Sequence, residues 1–186
     1  MFKHKKTIAI LGVDGSGKST AVENLSTIYG DKCSITYMGY TRFEDPRIEL
    51  LRKKRHTNPI TTWLTYRCFW HRYFKALKQG DFAIFDRYVH EIFINANKSL
   101  YSRINIILYK YLFPKPQKMV YLYCSSDESL RRKNDIPNPD TFIAMKKRFD
   151  NYFLNRKGVL CLDSEQLSPQ EITMKISELI DQSFYK

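Results

Sequence analysis

The chain is short of acid. Nineteen Asp and Glu stand against 31 Lys and Arg, a formal charge of +12 at pH 7, which favours an anionic partner such as phosphates, nucleic acid or an acidic membrane surface without choosing among them. Cysteine is also scarce. Cys33, Cys68, Cys124 and Cys161 form no CxxC pair and have no His at metal-ligand spacing, so neither a zinc site nor a disulfide framework is indicated; reduced thiols in a reducing, cytoplasmic setting are expected. No apolar run approaches the roughly 18 residues of a membrane span. After the basic MFKHKK, the run from Ile8 to Leu11 breaks at Gly12 and Asp14, so no signal peptide is expected. There is no internal repeat, Gly/Ser-rich linker or low-complexity tract. With 43% apolar residues, 186 positions suit one sizeable core, and a single domain over 1–186 is expected.

Glycine numbers only seven, and three of the seven fall between positions 12 and 17. The run TIAIL (7–11) reads as a short buried strand. From Lys18 to Tyr29 the apolar residues Ala21, Val22, Leu25 and Ile28 fall at helical spacing, with Gly30 placed to end a helix. Between them, Gly12-Val13-Asp14-Gly15-Ser16-Gly17-Lys18-Ser19 fits GxxxxGK[ST], and Thr20 follows. Glycines at 12, 15 and 17 let the backbone adopt shapes a Cβ would block, so that N–H groups converge on phosphate oxygens at a helix N-terminus. Lys18 can then reach the β- and γ-phosphates and the Ser19 hydroxyl can ligate Mg²⁺. The stretch predicts a nucleoside triphosphate site.

Further strands are expected at CSITYM (33–38), DFAIFD (81–86), KMVYLYC (118–124) and VLCLD (159–163). Helix-like segments separate them, among them 61–78, where Trp63, Arg67, Trp70, Phe74 and Leu77 share one face, and 140–154. Strands alternating with helices predict a parallel α/β sheet with helices on both faces. FPKPQ (113–117) and NDIPNPD (134–140) read as loops.

Three segments bear on chemistry. Asp86-Arg87-Tyr88 ends a predicted strand at the carboxyl edge of the sheet, where ligands sit in such folds; Asp86 could join a Mg²⁺ shell or cap the next helix. Arg42, after the second strand, could clamp an anionic acceptor or lie free on the surface. Arg131, Arg132 and Lys133 lie on a helix running into a proline-broken loop, either a solvated charge run or the cations that phosphoryl transfer needs. From 42 to 78 a further excess of Lys and Arg accompanies Trp63, Tyr66, Phe69, Trp70, Tyr73 and Phe74. Such aromatics stack bases where exposed but at helical spacing more often form core.

Together these stretches resemble the thymidylate kinase family of P-loop nucleoside monophosphate kinases, almost end to end. GVDGSGKST is similar to its phosphate loop, ALKQGDFAIFDRY (76–88) to its helix, strand and Asp-Arg-aromatic motif, YLYCSSDESLRRK (121–133) to the strand entering its lid, and VLCLDSEQLSPQEI (159–172) to its closing strand and last helix. The resemblance implies a three-layer P-loop kinase fold with a five-stranded parallel sheet in the order 2-3-1-4-5 and a short lid around 131–140. It also implies ATP and Mg²⁺ as cofactors and nucleotide contacts from Gly12, Gly15, Ser16, Gly17, Lys18, Ser19 and Thr20. Acceptor contacts would come from Asp14, Arg42, Arg87 and Tyr88, metal contacts from Ser19 and Asp86, and catalysis from Lys18 with Arg131 or Arg132. Ser16 occupies a loop position where some members carry an arginine, which leaves the lid to supply that cation. Thymidylate kinases are commonly dimers.

The acceptor half departs from the family. VHEIFINANKSL (89–100) follows the Asp-Arg-Tyr in place of a Ser and an Ala-Tyr-Gln-like stretch. Thr65 stands where the family has a base-reading arginine, and no Pro-Gly-Gly follows Arg42. His90-Glu91 is similar to a His-acid pair in kinase-like chains of surface-polysaccharide biosynthesis. Three readings follow: a kinase of dTMP or a related nucleoside monophosphate, first; a kinase of a sugar, phosphosugar or glycan end; and a nucleotide-responsive module docking nucleic acid or an anionic membrane.

Overall fold

In the computed structural model, short strands with continuous apolar runs, buried on both faces at the centre, build one parallel sheet. The structure describes residues 6–39, 59–95 and 100–185. The elements are β1 (Lys6–Leu11), α1 (Lys18–Tyr29), β2 (Cys33–Tyr37), α2 (Pro59–Lys78), β3 (Phe82–Asp86), α3 (His90–Ile94) and α4 (Leu100–Ile106), which continues as a π-helical turn over Ile107–Leu112. They end with β4 (Lys118–Tyr123), α5 (Ser126–Arg132), α6 (Pro139–Phe153), β5 (Val159–Asp163) and α7 (Pro169–Phe184). The strands run β2-β3-β1-β4-β5, all parallel, the order that the resemblance implies.

Side chains alternate across a strand, and the two faces of the sheet therefore carry two cores. Ile8, Ile10, Phe82, Ile84, Val120 and Leu122 face α1 and α7. Ala9, Leu11, Ala83, Phe85 and Tyr121 face the layer that holds Phe69 of α2, Tyr109 and Phe149. At the start of α7, Ser168 and Glu171 form a reciprocal capping box around Pro169, which fixes where the chain turns after β5.

Three sequence expectations are corrected. The buried stripe of α2 is Thr61, Thr65, Phe69, Arg72 and Ala76, not the face of Trp63 and Phe74, which are 55% and 45% exposed. Aromatic spacing alone did not distinguish the stripe, because Tyr66, Trp70 and Tyr73 pack only partly against the core. Phe69 alone of the six named aromatics is fully buried. Ile28 lies on the exposed side of α1. Pro139, expected in a loop, opens α6 behind the Asn138 cap, a position where a missing N–H costs nothing.

Candidate active site

β1 ends at a tight loop whose glycines are required by what surrounds them. Gly12, Gly15 and Gly17 take φ values of 152°, 80° and 85°. A Cβ on Gly12 would stand 2.4 Å from the Leu122 carbonyl oxygen, and one on Gly15 would stand 2.6 Å from that of Ser129. The loop is thus packed backbone to backbone against β4 and α5. Helix α1 then starts at Lys18 with no side-chain cap and no acid in its first turn, so its leading N–H groups suit an anion.

Above the loop lies a cavity of about 950 Å³. Gly12, Asp14, Gly15, Gly17, Lys18, Ser19, Thr20, Asp86, Arg87 and Arg132 of the expected residues all line it. Ser16 lies buried beneath, within the loop. Two expected residues fall elsewhere. Tyr88 turns away into the core and donates to the Pro114 carbonyl at 2.8 Å, and Arg131 is 75% exposed and paired with Glu128. Arg42 and the basic run 52–55 lie outside the described residues.

Strand register explains the convergence. Ile10 stands beside Asp86, and Asp86 beside Tyr37, so the ends of three adjacent strands meet where the strand order reverses direction, the usual ligand position in open α/β sheets. Asp86 does not cap α3, which begins behind Val89 without a side-chain cap.

The electrostatics centre on Lys18 and Arg87. Lys18 is buried and donates to the Val13 carbonyl at 2.5 Å. Burial, with the Arg87 charge adding to it, brings its pKa down to about 8. Arg87 donates to Glu91 at 2.6 Å through one nitrogen and to Asp14 through the other. Burial opposes its charge, but Glu91 and Asp14 outweigh burial and raise its pKa. Its φ of 64° is the single positive value among the described non-glycine residues, a strained conformation held where two carboxylates fix the guanidinium. Burial raises Asp14, yet Arg87, Lys18 and Lys133 outweigh it and hold the carboxyl below its ordinary value.

Lys133 approaches Asp14 at 3.4 Å, and Arg132 reaches the Gly15 carbonyl at 3.3 Å. Helix α5 thus turns one arginine and the following lysine over the loop. A second cavity of about 480 Å³ adjoins the first, lined by Thr20, Arg132, Ser164, Gln166, Leu167 and Pro169 among others. Sequence reading had noted Glu91 only as half of a His-acid pair. No helical pairing could have marked it, since Arg87 precedes α3 and has a φ of 64°.

No family model and no curated protein matches the sequence. Solved structures do match in fold. Thymidylate kinase from Candida albicans superposes with a TM-score of 0.70 at 20% identity, over 96% of this chain and 92% of that one. Deoxyadenosine kinase from M. mycoides with bound dATP gives 0.67 at 20% identity, over 95% and 99%. The Bacillus subtilis YorR protein in complex with phosphorylated GDP gives 0.61 at 18%, over 96% and 98%. At such identities the likeness establishes architecture, and the architecture of this chain is the P-loop nucleoside monophosphate kinase-like fold.

Proposed function

We propose that the protein is an ATP- and Mg²⁺-dependent kinase that moves the γ-phosphoryl group of ATP onto a small-molecule acceptor. The observation that carries this reading is the single cavity in which the glycine loop, Lys18, Ser19, Asp86, Arg87 and Arg132 come together. The triphosphate lies along the loop, with Lys18 and the N-terminus of α1 taking its charge. The adjoining cavity beside Gln166 and Pro169 suits the donor base. Residues 131–140 serve as a short lid on a single cytoplasmic domain, with Arg132 as the lid cation and Arg131 outside it. Among the described residues no helix is long and apolar enough to cross a membrane.

The donor set fits magnesium. Ser19 and Asp86 offer one hydroxyl and one carboxylate at the cavity wall, and no cluster of three or more His, Cys, Asp or Glu among the described residues could hold a metal. Magnesium is commonly held by one or two protein oxygens, with phosphate oxygens and waters completing its shell. When bound it would neutralise charge on the β- and γ-phosphates.

The first acceptor reading is a nucleoside monophosphate, dTMP or a relative, on the resemblance and on a fold shared with thymidylate kinase. A second reading, an acceptor that offers a sugar hydroxyl, is favoured by the carboxylate of Glu91 in the cavity wall. Coupled ATP turnover against nucleoside monophosphates, nucleosides, sugars and phosphosugars tests the proposal. Turnover restricted to dTMP or dUMP supports the first reading. ATP binding without turnover of any acceptor favours the nucleotide-responsive module and removes the kinase.

A further inference from the structure

We infer that the group phosphorylated is a neutral hydroxyl, on a nucleoside or a sugar, received by Glu91, and not a phosphate monoester received by Arg87. The inference rests on the kinase reading above and, of its two acceptor readings, favours a hydroxyl acceptor over the nucleoside monophosphate.

An arginine beside the phosphate loop would ordinarily be the place to seat an acceptor phosphate. Here that guanidinium is already engaged. One arm donates to Glu91 at 2.6 Å and the other to Asp14. Two carboxylates hold that guanidinium, so it has no uncompensated charge to offer a dianionic ester, while Lys133 offsets part of the charge of Asp14 at 3.4 Å. Freeing Arg87 would also leave Glu91, whose side chain is only 13% exposed, as an unpaired carboxylate out of water, which is costly.

A hydroxyl needs none of this rearrangement. It brings no charge, and a carboxylate can accept its proton through the oxygen that does not face Arg87. Glu91 Oε1 faces Arg87, and no hydrogen bond to Oε2 occurs among the described residues. Burial raises the pKa of Glu91 although Arg87 opposes the rise, which moves the group toward the range of a working base. Lys18 and Glu91 line the same cavity, so the carboxylate shares it with the lysine that meets the transferring phosphate. The same cavity wall also carries uncharged groups: Tyr37, Asn95 and Asn105 bring hydroxyl and amide groups, and Met145 and Phe149 bring apolar surface. Such a lining suits a hydroxylated ring.

The step balances. The acceptor oxygen forms a bond to the γ-phosphorus while the bond from that phosphorus to the β,γ-bridging oxygen breaks. Its electron pair leaves with ADP, and the acceptor proton passes to Glu91 and then to solvent.

Three measurements on wild type and Glu91→Gln test this, all with the full chain and Mg²⁺. Inorganic phosphate is titrated calorimetrically in the presence of a non-hydrolysable ATP analogue; wild type should bind it weakly and Glu91→Gln at least tenfold more tightly. Equal or tighter binding by wild type overturns the inference. Second, ATP hydrolysis, with water as the simplest hydroxyl acceptor, should fall by ~10² or more in Glu91→Gln with the affinity for ATP unchanged. Hydrolysis at the wild-type rate overturns it. Third, each nucleoside and sugar is offered beside its own phosphate ester: turnover of the free alcohols supports the inference and separates nucleoside from sugar, and turnover of the esters at their phosphate overturns it. A wild type that fails to bind the ATP analogue removes the kinase reading itself, while the phosphate titration still reads the charge at Glu91.

Discussion

Arg132 donates to the Ser164 carbonyl at 2.7 Å and to the Ser164 hydroxyl at 3.0 Å. The same guanidinium reaches the Gly15 carbonyl at 3.3 Å. One side chain from α5 thus joins the phosphate loop to the end of β5, and it lines both adjoining cavities. Successive residues on a helix point about 100° apart, and Arg131 accordingly lies outside with Glu128.

Arg132→Ala should lower kcat by about 10³, the scale of an arginine supplied to a phosphoryl transition state, with little change in acceptor KM. Arg131→Ala should stay within about twofold of wild type, since exposed ion pairs contribute little. Steady-state turnover of both variants, with thermal unfolding to confirm folding, is the measurement. Equal, small losses at the two positions would reduce the segment to a solvated charge run.

Lys18 gives a proton signature. Its folded pKa of about 8 lies below the 10.5 of a free lysine, so the unfolded chain holds more protons between these values and stability rises with pH across that window. A bound triphosphate favours the ammonium form and reverses the depression. ATP binding at pH 8 to 9 should therefore take up protons, and affinity should fall as pH rises above about 8. Titration calorimetry in two buffers of different ionisation enthalpy reads the uptake, and Lys18→Ala should abolish it. Binding without proton uptake in the wild type would place the lysine away from the phosphates.

Gly15→Ala should be among the most damaging small changes. Its φ is 80°, and the added carbon would stand 2.6 Å from the Ser129 carbonyl oxygen and 3.0 Å from the Ser129 Cα. Both are backbone atoms, so neither can swing aside. The expected result is loss of ATP binding with a lowered melting temperature, seen by calorimetry and thermal unfolding. Gly158→Ala serves as the comparison, because that glycine has a similar φ of 83° with nothing within 4 Å of an added carbon. Equal effects in the two variants would assign the damage to φ alone and not to the packed loop.

How much of this was legible in the sequence follows from the range of the interactions concerned. The strand–loop–helix unit around Lys18 is encoded within some twenty residues, and four further strands were legible because each is a short apolar run beside turn residues. The inward arginine of the pair 131–132 needed the fold, since helical phase says that only one faces in and the position of Ser164 says which. The buried stripe of α2 was misread because Thr61, Thr65 and Arg72 are polar by type. Thr65 meets the cost of burial by donating to the Thr61 carbonyl at 2.7 Å, and Arg72 by donating to the Gly39 carbonyl at 3.3 Å. The Asp14–Arg87 pair joins positions 73 apart, a separation no local pattern encodes.

His90, one residue from Glu91, faces the other way and sets an acid limit on the fold. It is 6% exposed and packs among the rings of Tyr88, Phe93, Tyr152 and Phe153 at 5.1–6.0 Å. Burial, with Arg156 and Lys115 adding to it, brings its pKa down to about 3. The unfolded chain, with an ordinary histidine near 6.5, binds the proton first. Stability contributed by the neutral ring is therefore full above about pH 6.5 and is lost as pH falls toward 3, by about 2 kcal/mol at pH 5. His90→Phe keeps a ring in that pocket and removes the titration. Denaturant unfolding at pH 7.5 and pH 5 should show the wild type losing about 2 kcal/mol more than His90→Phe between the two. Parallel losses in the two proteins would mean that His90 is protonated in the folded state, with an anion or water beside Nδ1, a buried atom with no hydrogen-bond partner among the described residues.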